Sequence, residues 1–308
     1  MMVLTVSVVS ASDLNETVDM VCESNQHNQL TQITNNSHYL ASQSSIYVDD
    51  VNGDDENDGK SWESPIKTFN KALEIANDDD TICLADGKYS GLDNTKLSID
   101  KSVNVVGSLN TTFDASYENY LFLINNGVTV TFKNINFINA YKTDYDIDLI
   151  DNYEIEGIYG AALDIKNATV TLENCYFKDN MANYADDEYQ FAYGGAISNF
   201  GDLKILNSYF YGNAIGATTD IFGYGGALYN KGKLFVNNSS FINSRGSTYS
   251  FGGTIYNDGE LLINNSIIAN SYCWEESKGG AIFNNGRLTL LNSIVENNTI
   301  DRTDYNYI

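Results

Sequence analysis

From residue 193 onward, apolar and polar positions follow one repeated pattern. Each copy has a glycine pair near its start with Ile or Leu two positions later, turns at Asn-x-Gly, and then alternates apolar and polar residues. A period of two predicts β-strands, because successive side chains of a strand point to opposite faces. The copies are YGGAISNFGDLKILNSYFYGN, YGGALYNKGKLFVNNSSFINS, FGGTIYNDGELLINNSIIANS and KGGAIFNNGRLTLLNSIVENN, at 193–213, 224–244, 251–271 and 278–298.

The copies keep their internal register while the chain between them varies in length. A variant begins at Tyr159 and a divergent copy covers 121–140, so that six central asparagines can be aligned. Their spacings are 40, 33, 31, 27 and 27 residues, for Asn134, Asn174, Asn207, Asn238, Asn265 and Asn292. The variation always precedes the next glycine pair. This arrangement predicts a solenoid rung of three short strands, with one loop of free length.

Stacked rungs would place equivalent side chains over one another, about 4.8 Å apart. We expect inward files that form a continuous apolar core: Ile197, Leu228, Ile255 and Ile282; Leu203, Leu234, Leu261 and Leu288; Ile205, Val236, Ile263 and Leu290; Phe210, Phe241, Ile268 and Val295. The predicted fold is all-β, a single-stranded right-handed parallel β-helix with a short N-terminal capping α-helix.

Two polar files are expected at the corners of the rungs. An amide ladder is predicted for Asn207, Asn238, Asn265 and Asn292, with each side chain bonding its neighbours. A second file alternates in sign: Asp202, Lys233, Glu260 and Arg287. Exposed opposite charges on neighbouring strands contribute at most about 0.2–1 kcal/mol, so this file should fix register. The glycines of Asn-x-Gly, such as Gly232, are expected to adopt positive φ.

The N-terminal part divides into two segments. Residues 1–44 begin with the apolar run Met1–Ala11, which ends in small residues and is typical of a partial signal peptide followed by a leader. Residues 45–92 contain Ser64 as an N-cap and Pro65 at the first helical position, which predicts a helix over 65–77 that covers the open end of the solenoid.

Residues 93–308 supply the rungs. The chain reaches Tyr305–Ile308 where another glycine pair is expected, so we expect either a truncated rung or one that pairs with something else. No segment after the N-terminus approaches the roughly 18–20 apolar residues of a membrane span.

Composition narrows the classes of function. The chain has 17 Lys and Arg against 41 Asp and Glu, a formal net charge of −24. This field repels phosphate backbones, so no nucleic-acid partner is expected. The four cysteines form no CxxC pair, which argues against a zinc or redox motif. We expect them to act as small buried hydrophobes, with disulfides as the open alternative.

One acidic turn is a candidate calcium loop. It offers oxygen ligands at alternating positions, beside glycines that allow tight turns, from Asp50, Asn52, Asp54 and Asp58. The bidentate glutamate of an EF-hand is not at its expected offset, and a solvated acidic turn is the alternative. No other cofactor is expected.

Aromatic residues supply the candidate ligand-binding positions. Tyr229, Tyr256 and Phe283 are expected to stack on consecutive rungs of an outward face, and Tyr184, Tyr189 and Phe191 lie in a long insertion. A second file precedes the glycine pairs: Tyr159, Tyr193, Tyr224 and Phe251. Aromatic faces suit glycans and protein anchors. The alternative is self-stacking that stabilises the solenoid.

The motifs resemble those of known families. The opening segment, with YVDDVNGDDENDG at 47–59, is similar to the first module of secreted parallel β-helix proteins. The Gly225-Gly226-Ala227-Leu228 and Phe210-x-x-Asn213 motifs resemble repeats of chlamydial polymorphic outer-membrane proteins. The Asn- and Tyr-rich, nearly proline-free composition looks most like the adhesin-like surface proteins of methanogenic archaea. The resemblance implies export to the cell surface and binding to extracellular glycans or surface proteins.

The alternative is an extracellular polysaccharide lyase or glycoside hydrolase of the pectate-lyase-like β-helix class. Such enzymes need clustered carboxylates with a basic proton acceptor. The histidines, His27 and His38, fall in the leader, and Arg245, Arg287 and Arg302 are scattered. We therefore assign no catalytic residue and expect a binding protein.

Overall fold

The computed structural model describes residues 44–143, 157–183, 190–216, 221–274 and 276–301. The predicted signal segment, Tyr184, Tyr189 and Tyr305–Ile308 lie outside these ranges. The described residues form a right-handed parallel β-helix in which strands of successive turns pair in parallel. The sheets are named A to E here.

Sheets A, B and C form the constant part of each rung. Sheet A has nine strands: Ser45–Val48, Asp80–Leu84, Val103–Val106, Thr129–Lys133, Thr169–Glu173, Asp202–Leu206, Lys233–Asn237, Glu260–Asn264 and Arg287–Leu291. Sheet B has eight: Gly87–Tyr89, Thr111–Asp114, Asn136–Ile138, Tyr176–Lys178, Tyr209–Tyr211, Ser240–Ile242, Ile267–Ala269 and Ile294–Glu296. Sheet C has seven: Leu97–Ile99, Phe122–Ile124, Leu163–Ile165, Ile197–Asn199, Leu228–Asn230, Ile255–Asn257 and Ile282–Asn284.

Shorter strands flank the variable insertions, so a rung has more strands than the three that were predicted. Sheet D consists of Tyr141–Lys142, Met181–Ala182, Ala214–Ile215, Tyr272–Cys273 and Thr299–Ile300. Single β-bridges through Arg245 join its first three strands to its last two. Sheet E consists of Ile158–Tyr159, Gln190–Tyr193, Ile221–Tyr224 and Tyr249–Phe251.

The register of the inward files is confirmed, and the files are buried except at the last described rung, where Leu290 and Val295 are 44% and 43% exposed. Leu203 pairs with Leu234, Leu234 with Leu261, and Leu261 with Leu288, and the other three files keep the same register. The phenylalanine file of sheet B is stacked most closely: ring centroids are 4.6, 4.6 and 4.4 Å apart along Phe137, Phe177, Phe210 and Phe241. Burying these rings in register removes a large apolar area from water.

The continuous amide ladder lies at a different corner from the predicted one. In the predicted file only Asn238 donates to its equivalent, Asn207, at 2.8 Å. Asn265 and Asn292 instead donate, at 3.4 and 3.5 Å, to residues of an adjacent file, Asn237 and Asn264. All four predicted residues have positive φ, which directs their side chains toward solvent.

The ladder itself follows sheet C. Nδ2 of each residue donates to Oδ1 of the next, at 2.7, 2.7 and 2.6 Å, along Asn199, Asn230, Asn257 and Asn284. The same Nδ2 of Asn230 also donates to the Gly232 carbonyl. Because the first three amides are buried, these bonds satisfy groups that would otherwise be costly to bury.

The glycine of Asn-x-Gly is required for space and does not have positive φ. A Cβ on Gly232 would lie 2.0 Å from the Gly201 carbonyl oxygen of the preceding rung. The positive φ falls on the first glycine of the glycine pair, as at Gly225, where φ is 76°.

The capping helix, α1, spans Phe69–Ile75 and is shorter than the predicted 65–77. Ile66 is held in extended conformation because it bridges to Val48, so the helix begins only after Thr68, whose side chain accepts from Lys71 N. The buried face of α1 covers the first turns as predicted, with the Phe69 ring 5.0 Å from that of Phe113.

The C-terminal end of α1 is capped by the side chain of Lys101, which follows the first strand of sheet C. Lys101 Nζ donates to the carbonyls of Leu73, Glu74 and Ala76 at 2.8, 2.9 and 2.8 Å. A cation at this position satisfies carbonyls that have no partner within the helix.

The described cysteines differ. Cys175 and Cys273 are free and buried, and burial raises the pKa of each thiol to about 12. Cys83 is disulfide-bonded, which is the alternative that the sequence left open. Within the described ranges, no helix is long and apolar enough to cross a membrane.

Candidate binding surface

Two files of aromatic side chains lie side by side on the outside of sheets C and E. We call these seven residues the aromatic strip: Tyr229, Tyr256 and Phe283 from sheet C, and Tyr159, Tyr193, Tyr224 and Phe251 from sheet E. They occupy equivalent positions of successive rungs, so the register of the backbone sets the spacing of the rings.

The rings of the strip interlock. Within each file they are stacked, with centroids 4.8 Å apart for Tyr159 and Tyr193 and 5.4 Å apart for Tyr229 and Tyr256. Between the files they meet edge to face, as for Tyr193 and Tyr229 at 4.9 Å and 66°. Offset stacking and edge-to-face contacts are the favourable geometries for aromatic pairs.

The strip is buried at one end and accessible at the other. Tyr229 is only 4% exposed, and Tyr159 and Tyr193 are equally covered, whereas the four remaining rings are half-buried. Burial raises the pKa of the Tyr193 and Tyr229 hydroxyls above the usual value, and neighbouring tyrosines raise it further. The accessible rings are Tyr224, Phe251, Tyr256 and Phe283.

Polar groups border the accessible rings. Lys278 Nζ lies 5.5 Å from the centroid of the Phe251 ring. Asp258 accepts a hydrogen bond from Asn285 Nδ2 at 2.8 Å and, after burial, is the main cause of the raised pKa of Tyr256. Aromatic rings bordered by hydrogen-bond donors and acceptors can bind ligands that combine apolar C–H groups with hydroxyl groups.

Of the three insertion aromatics that the sequence singled out, Phe191 is described, and it extends the strip. Its ring is half-buried and lies 6.4 Å from Tyr193 and 5.7 Å from Phe222. Tyr184 and Tyr189 fall outside the described residues.

A cluster of charged side chains lies beside Tyr159, at the buried end of the strip. Asp164 occupies the position of sheet C that Ser198 and Tyr229 occupy on the next two rungs. Its Oδ2 accepts from Lys142 Nζ at 3.2 Å and from Lys166 Nζ at 3.0 Å, and its Oδ1 accepts from Ser198 Oγ at 2.8 Å. The Lys166 ammonium also lies 5.6 Å from the Tyr159 ring centroid, which joins the cluster to the strip.

Burial perturbs the charged cluster. Asp164 is 2% exposed, and burial raises the pKa of its carboxyl while Lys142 opposes the shift. Burial, reinforced by the Lys142 charge, lowers the pKa of Lys166 to about 6. A lysine whose pKa is lowered toward neutral pH loses its proton more readily and can then accept one.

This cluster was not predicted from the sequence, because its basic groups are lysines and not the histidines or arginines expected in polysaccharide-degrading enzymes. The available signal was Asp164, an acidic residue at an outward position where later rungs have Ser198 and Tyr229. Lys142 is 22 residues away and meets Asp164 only across a variable insertion, which the repeat pattern does not describe.

The acidic turn of the calcium hypothesis is organised by Asp49. Its Oδ1 accepts from the backbone N–H groups of Val51 and Asn52, each at 2.9 Å. Asp54 and Asp58 accept local backbone N–H groups in the same way. Among the residues that the structure describes, no three His, Cys, Asp or Glu side chains could hold a metal ion together. Calcium binding by Asp50, Asn52, Asp54 and Asp58 stays a prediction.

The alternating charge file lies on adjacent strands of sheet A, as expected. Asp202 pairs with Lys233, Lys233 with Glu260, and Glu260 with Arg287. The Arg287–Glu260 ion pair spans 3.4 Å, and both side chains are largely exposed. It therefore contributes less than about 1 kcal/mol, which suits a role in register more than in stability.

Comparison with known proteins identifies a family and a set of similar folds. The family model described as "Protein of unknown function (DUF1565)" matches residues 51–307. No curated protein matches the sequence.

Three solved structures illustrate the similar folds. Pectate lyase Pel9A is 14% identical, with a TM-score of 0.38 over 86% of this chain and 80% of that chain. A variant of the PL6 alginate lyase AlyGC is 13% identical, with a TM-score of 0.42 over 86% of this chain and 41% of that chain. The GH136 lacto-N-biosidase from Eubacterium ramulus is 11% identical, with a TM-score of 0.35 over 83% and 56%.

Proposed function

For this chain, which belongs to the DUF1565 family, we propose an adhesin-like role: export to the cell surface and binding of glycans through the accessible end of the aromatic strip. The N-terminal apolar run supports export, and the resemblance of the repeats to surface proteins supports display outside the cell. The partner class is neutral or basic glycans, because the net charge of −24 disfavours polyanions.

The observation that carries the proposal is the run of half-buried rings on consecutive rungs. Tyr224 and Phe251 are 5.4 Å apart, as are Tyr256 and Phe283, so aromatic ring edges recur with the period of the solenoid. A glycan chain presents apolar C–H groups once per repeating unit. Lys278 and Asp258 stand beside the rings, where they can donate to and accept from sugar hydroxyls.

A glycan array probed with the purified full chain tests the proposal. We expect retention of a set of neutral or amino-sugar glycans, and at least a tenfold weaker affinity for the best of them in Phe283→Ala by calorimetric titration. Phe235→Ala is the matched control, because Phe235 is also a half-buried, outward phenylalanine, on sheet A.

Equal loss in Phe283→Ala and Phe235→Ala, or no retention of any glycan, would contradict the proposal. If the purified chain retains surface proteins and no glycan, its partners are proteins and the glycan proposal is wrong.

The charged cluster favours a second candidate function, a polysaccharide lyase or glycoside hydrolase. A lysine with a lowered pKa can act as a general base, and Asp164 beside it can position the amine. This candidate predicts unsaturated products or new reducing ends from a polysaccharide panel, and their loss in Lys166→Met with retention in Lys178→Met. No product from the wild-type chain would remove it.

A further inference from the structure

A cleft on the outside of sheets B and D, lined by residues other than those of the strip, arises from one missing side chain. At the turn after sheet B, successive rungs carry a residue of positive φ between 52° and 58°: Asn139, Asp179, Asn243, Asn270 and Asn297. In this file one position is a glycine, Gly212, with φ 67°. The file of side chains is therefore interrupted for the height of one rung.

The interruption opens a cleft of about 430 Å³, which we call the Gly212 cleft. Its lining combines two charged groups, two amides and two tyrosine rings: Asp179, Arg245, Asn243, Asn270, Tyr211 and Tyr272. A volume of this size falls within the range of small-ligand sites.

The two charges face the same space from different sides. A Cβ on Gly212 would lie 2.3 Å from Asp179 Oδ1, so this carboxylate leans over the glycine into the gap. Arg245 is exposed on the neighbouring sheet D file, between Ala214 and Tyr272. In the described part of the chain, no carboxylate, including that of Asp179, lies within ion-pair distance of Arg245.

Two tyrosine rings line the cleft, Tyr211 and Tyr272, and both are half-buried. Tyr272 donates to Asp301 Oδ2 at 2.9 Å, which fixes its ring, and its ring meets that of Trp274 edge to face at 5.2 Å. Trp274 is 44% exposed and Tyr209, stacked beside Tyr211, is 40% exposed.

We propose that the Gly212 cleft binds a single neutral sugar residue, at a site separate from the aromatic strip. Asp179 accepts hydrogen bonds from two ring hydroxyls, and the Arg245 guanidinium and the Asn243 amide donate to hydroxyl oxygens. The tyrosine rings cover the apolar face of the sugar. A polyol suits this site because it supplies donors to the carboxylate and acceptors to the guanidinium at the same time, and a neutral ligand is not repelled by the acidic protein.

Saturation-transfer NMR and calorimetric titration of the full chain with methyl hexopyranosides (gluco, galacto, manno) and N-acetylglucosamine test the site. We expect at least one of these sugars to bind with millimolar or better affinity. Arg245→Gln should weaken it at least tenfold, while Arg287→Gln, the same change at an exposed arginine of sheet A, leaves it unchanged.

Gly212→Asn supplies a second, independent variant. Asparagine occupies this position in other rungs with positive φ, so the fold should tolerate it, and its side chain fills the gap. We expect Gly212→Asn to lose binding of the sugar to the cleft. The same variant should bind the array glycan, whose affinity Phe283→Ala weakens, as tightly as the wild type does.

Three results would overturn the proposal: no sugar of the panel binds, binding survives both Arg245→Gln and Gly212→Asn, or glycine as a zwitterionic probe binds more tightly than every sugar. Because the strip is tested by Phe283→Ala, failure of the cleft and failure of the strip can be distinguished.

Discussion

The aromatic strip and the Gly212 cleft use the same residue type in two different ways. In the strip, tyrosines from neighbouring rungs cover one another, and Tyr193 and Tyr229 are almost fully buried. At the cleft, Tyr211 and Tyr272 line a gap that Asp179 and Arg245 border, and the rings beside these tyrosines, Tyr209 and Trp274, are 40% and 44% exposed. A regular file of rings builds the solenoid wall, whereas an irregularity in a file leaves room for a ligand.

This difference predicts how substitutions divide between stability and recognition. Changes at the buried end of the strip should lower the free energy of unfolding, because they remove packed apolar area or leave buried charges. Changes at the cleft should leave stability nearly unchanged and alter only ligand affinity.

The largest difference in the free energy of unfolding is expected between two aspartate variants. Asp164→Ala should lower the free energy of unfolding by about 3–5 kcal/mol, because it leaves the buried Lys142 ammonium without the carboxylate to which it donates. Asp179→Ala, at the cleft, removes a partly exposed 3.8 Å ion pair with Lys178 and should cost less than about 1 kcal/mol. Urea denaturation of both variants measures the difference. Similar losses would remove the distinction between the two regions.

The next largest difference in the free energy of unfolding is expected between two tyrosine variants. Tyr193→Ala should cost about 3–4 kcal/mol, because the ring is buried between two stacked neighbours. Tyr209→Ala should cost less than about 1 kcal/mol, because its ring is 40% exposed. Thermal and urea unfolding should rank the variants in this order, and the reverse order would break the comparison.

The pH dependence of stability tests the charged end of the strip. The folded pKa of Lys166, about 6, is below its unfolded value of about 10.4. Between these values the unfolded state binds more protons, so the free energy of unfolding should rise with pH, by at most about 1.4 kcal/mol per unit.

Lys166→Met lacks this group, so the wild type should gain stability relative to this variant as the pH increases from 6 to 10. Lys178→Met, an exposed lysine, should show no such trend. A flat or falling difference for Lys166→Met would contradict the lowered pKa.

The smallest expected effect on stability is at the cleft itself. Gly212→Asn should change the free energy of unfolding by less than about 1 kcal/mol, because asparagine tolerates positive φ and the nearest atom to its Cβ is the movable Asp179 carboxylate. Urea denaturation measures it. A loss of several kcal/mol would show that the glycine is structural and that the cleft follows from folding requirements alone.

The register of the fold could be predicted because period-two alternation and a constant module leave few alternatives. Leu203, Leu234, Leu261 and Leu288 stack as expected, since a shift by one residue would turn every apolar side chain outward. The helix was harder to delimit, because the extended pairing of Ile66 with Val48 is a tertiary contact that local capping signals do not show.

The two asparagine files show what a repeat pattern leaves undetermined. Asn230 and Asn238 recur with the same regularity, yet Asn230 is buried and donates to Asn257, whereas Asn238 has φ 49° and is exposed. Which corner buries its amide depends on the backbone conformation of the turn. The sequence spacing is the same for either choice.

The candidate sites were predictable only in part. The strip follows from the register of Tyr229, Tyr256 and Phe283, although the burial of Tyr229 depends on the second file packed against it. The charged cluster and the Gly212 cleft depend on exceptions to the repeat, an aspartate at an outward position and one glycine in a file of asparagines. A consensus of the repeats averages such exceptions away.

The central claim is that the accessible rings of the strip contact a glycan. Tyrosine-labelled full-length protein, titrated with the best glycan from the array and observed by aromatic ¹H–¹³C NMR, tests this most directly. We predict that the Tyr224 and Tyr256 ring signals shift progressively with saturation, while those of Tyr176 and Tyr89 do not move. Saturable binding that leaves Tyr224 and Tyr256 unshifted would contradict the account.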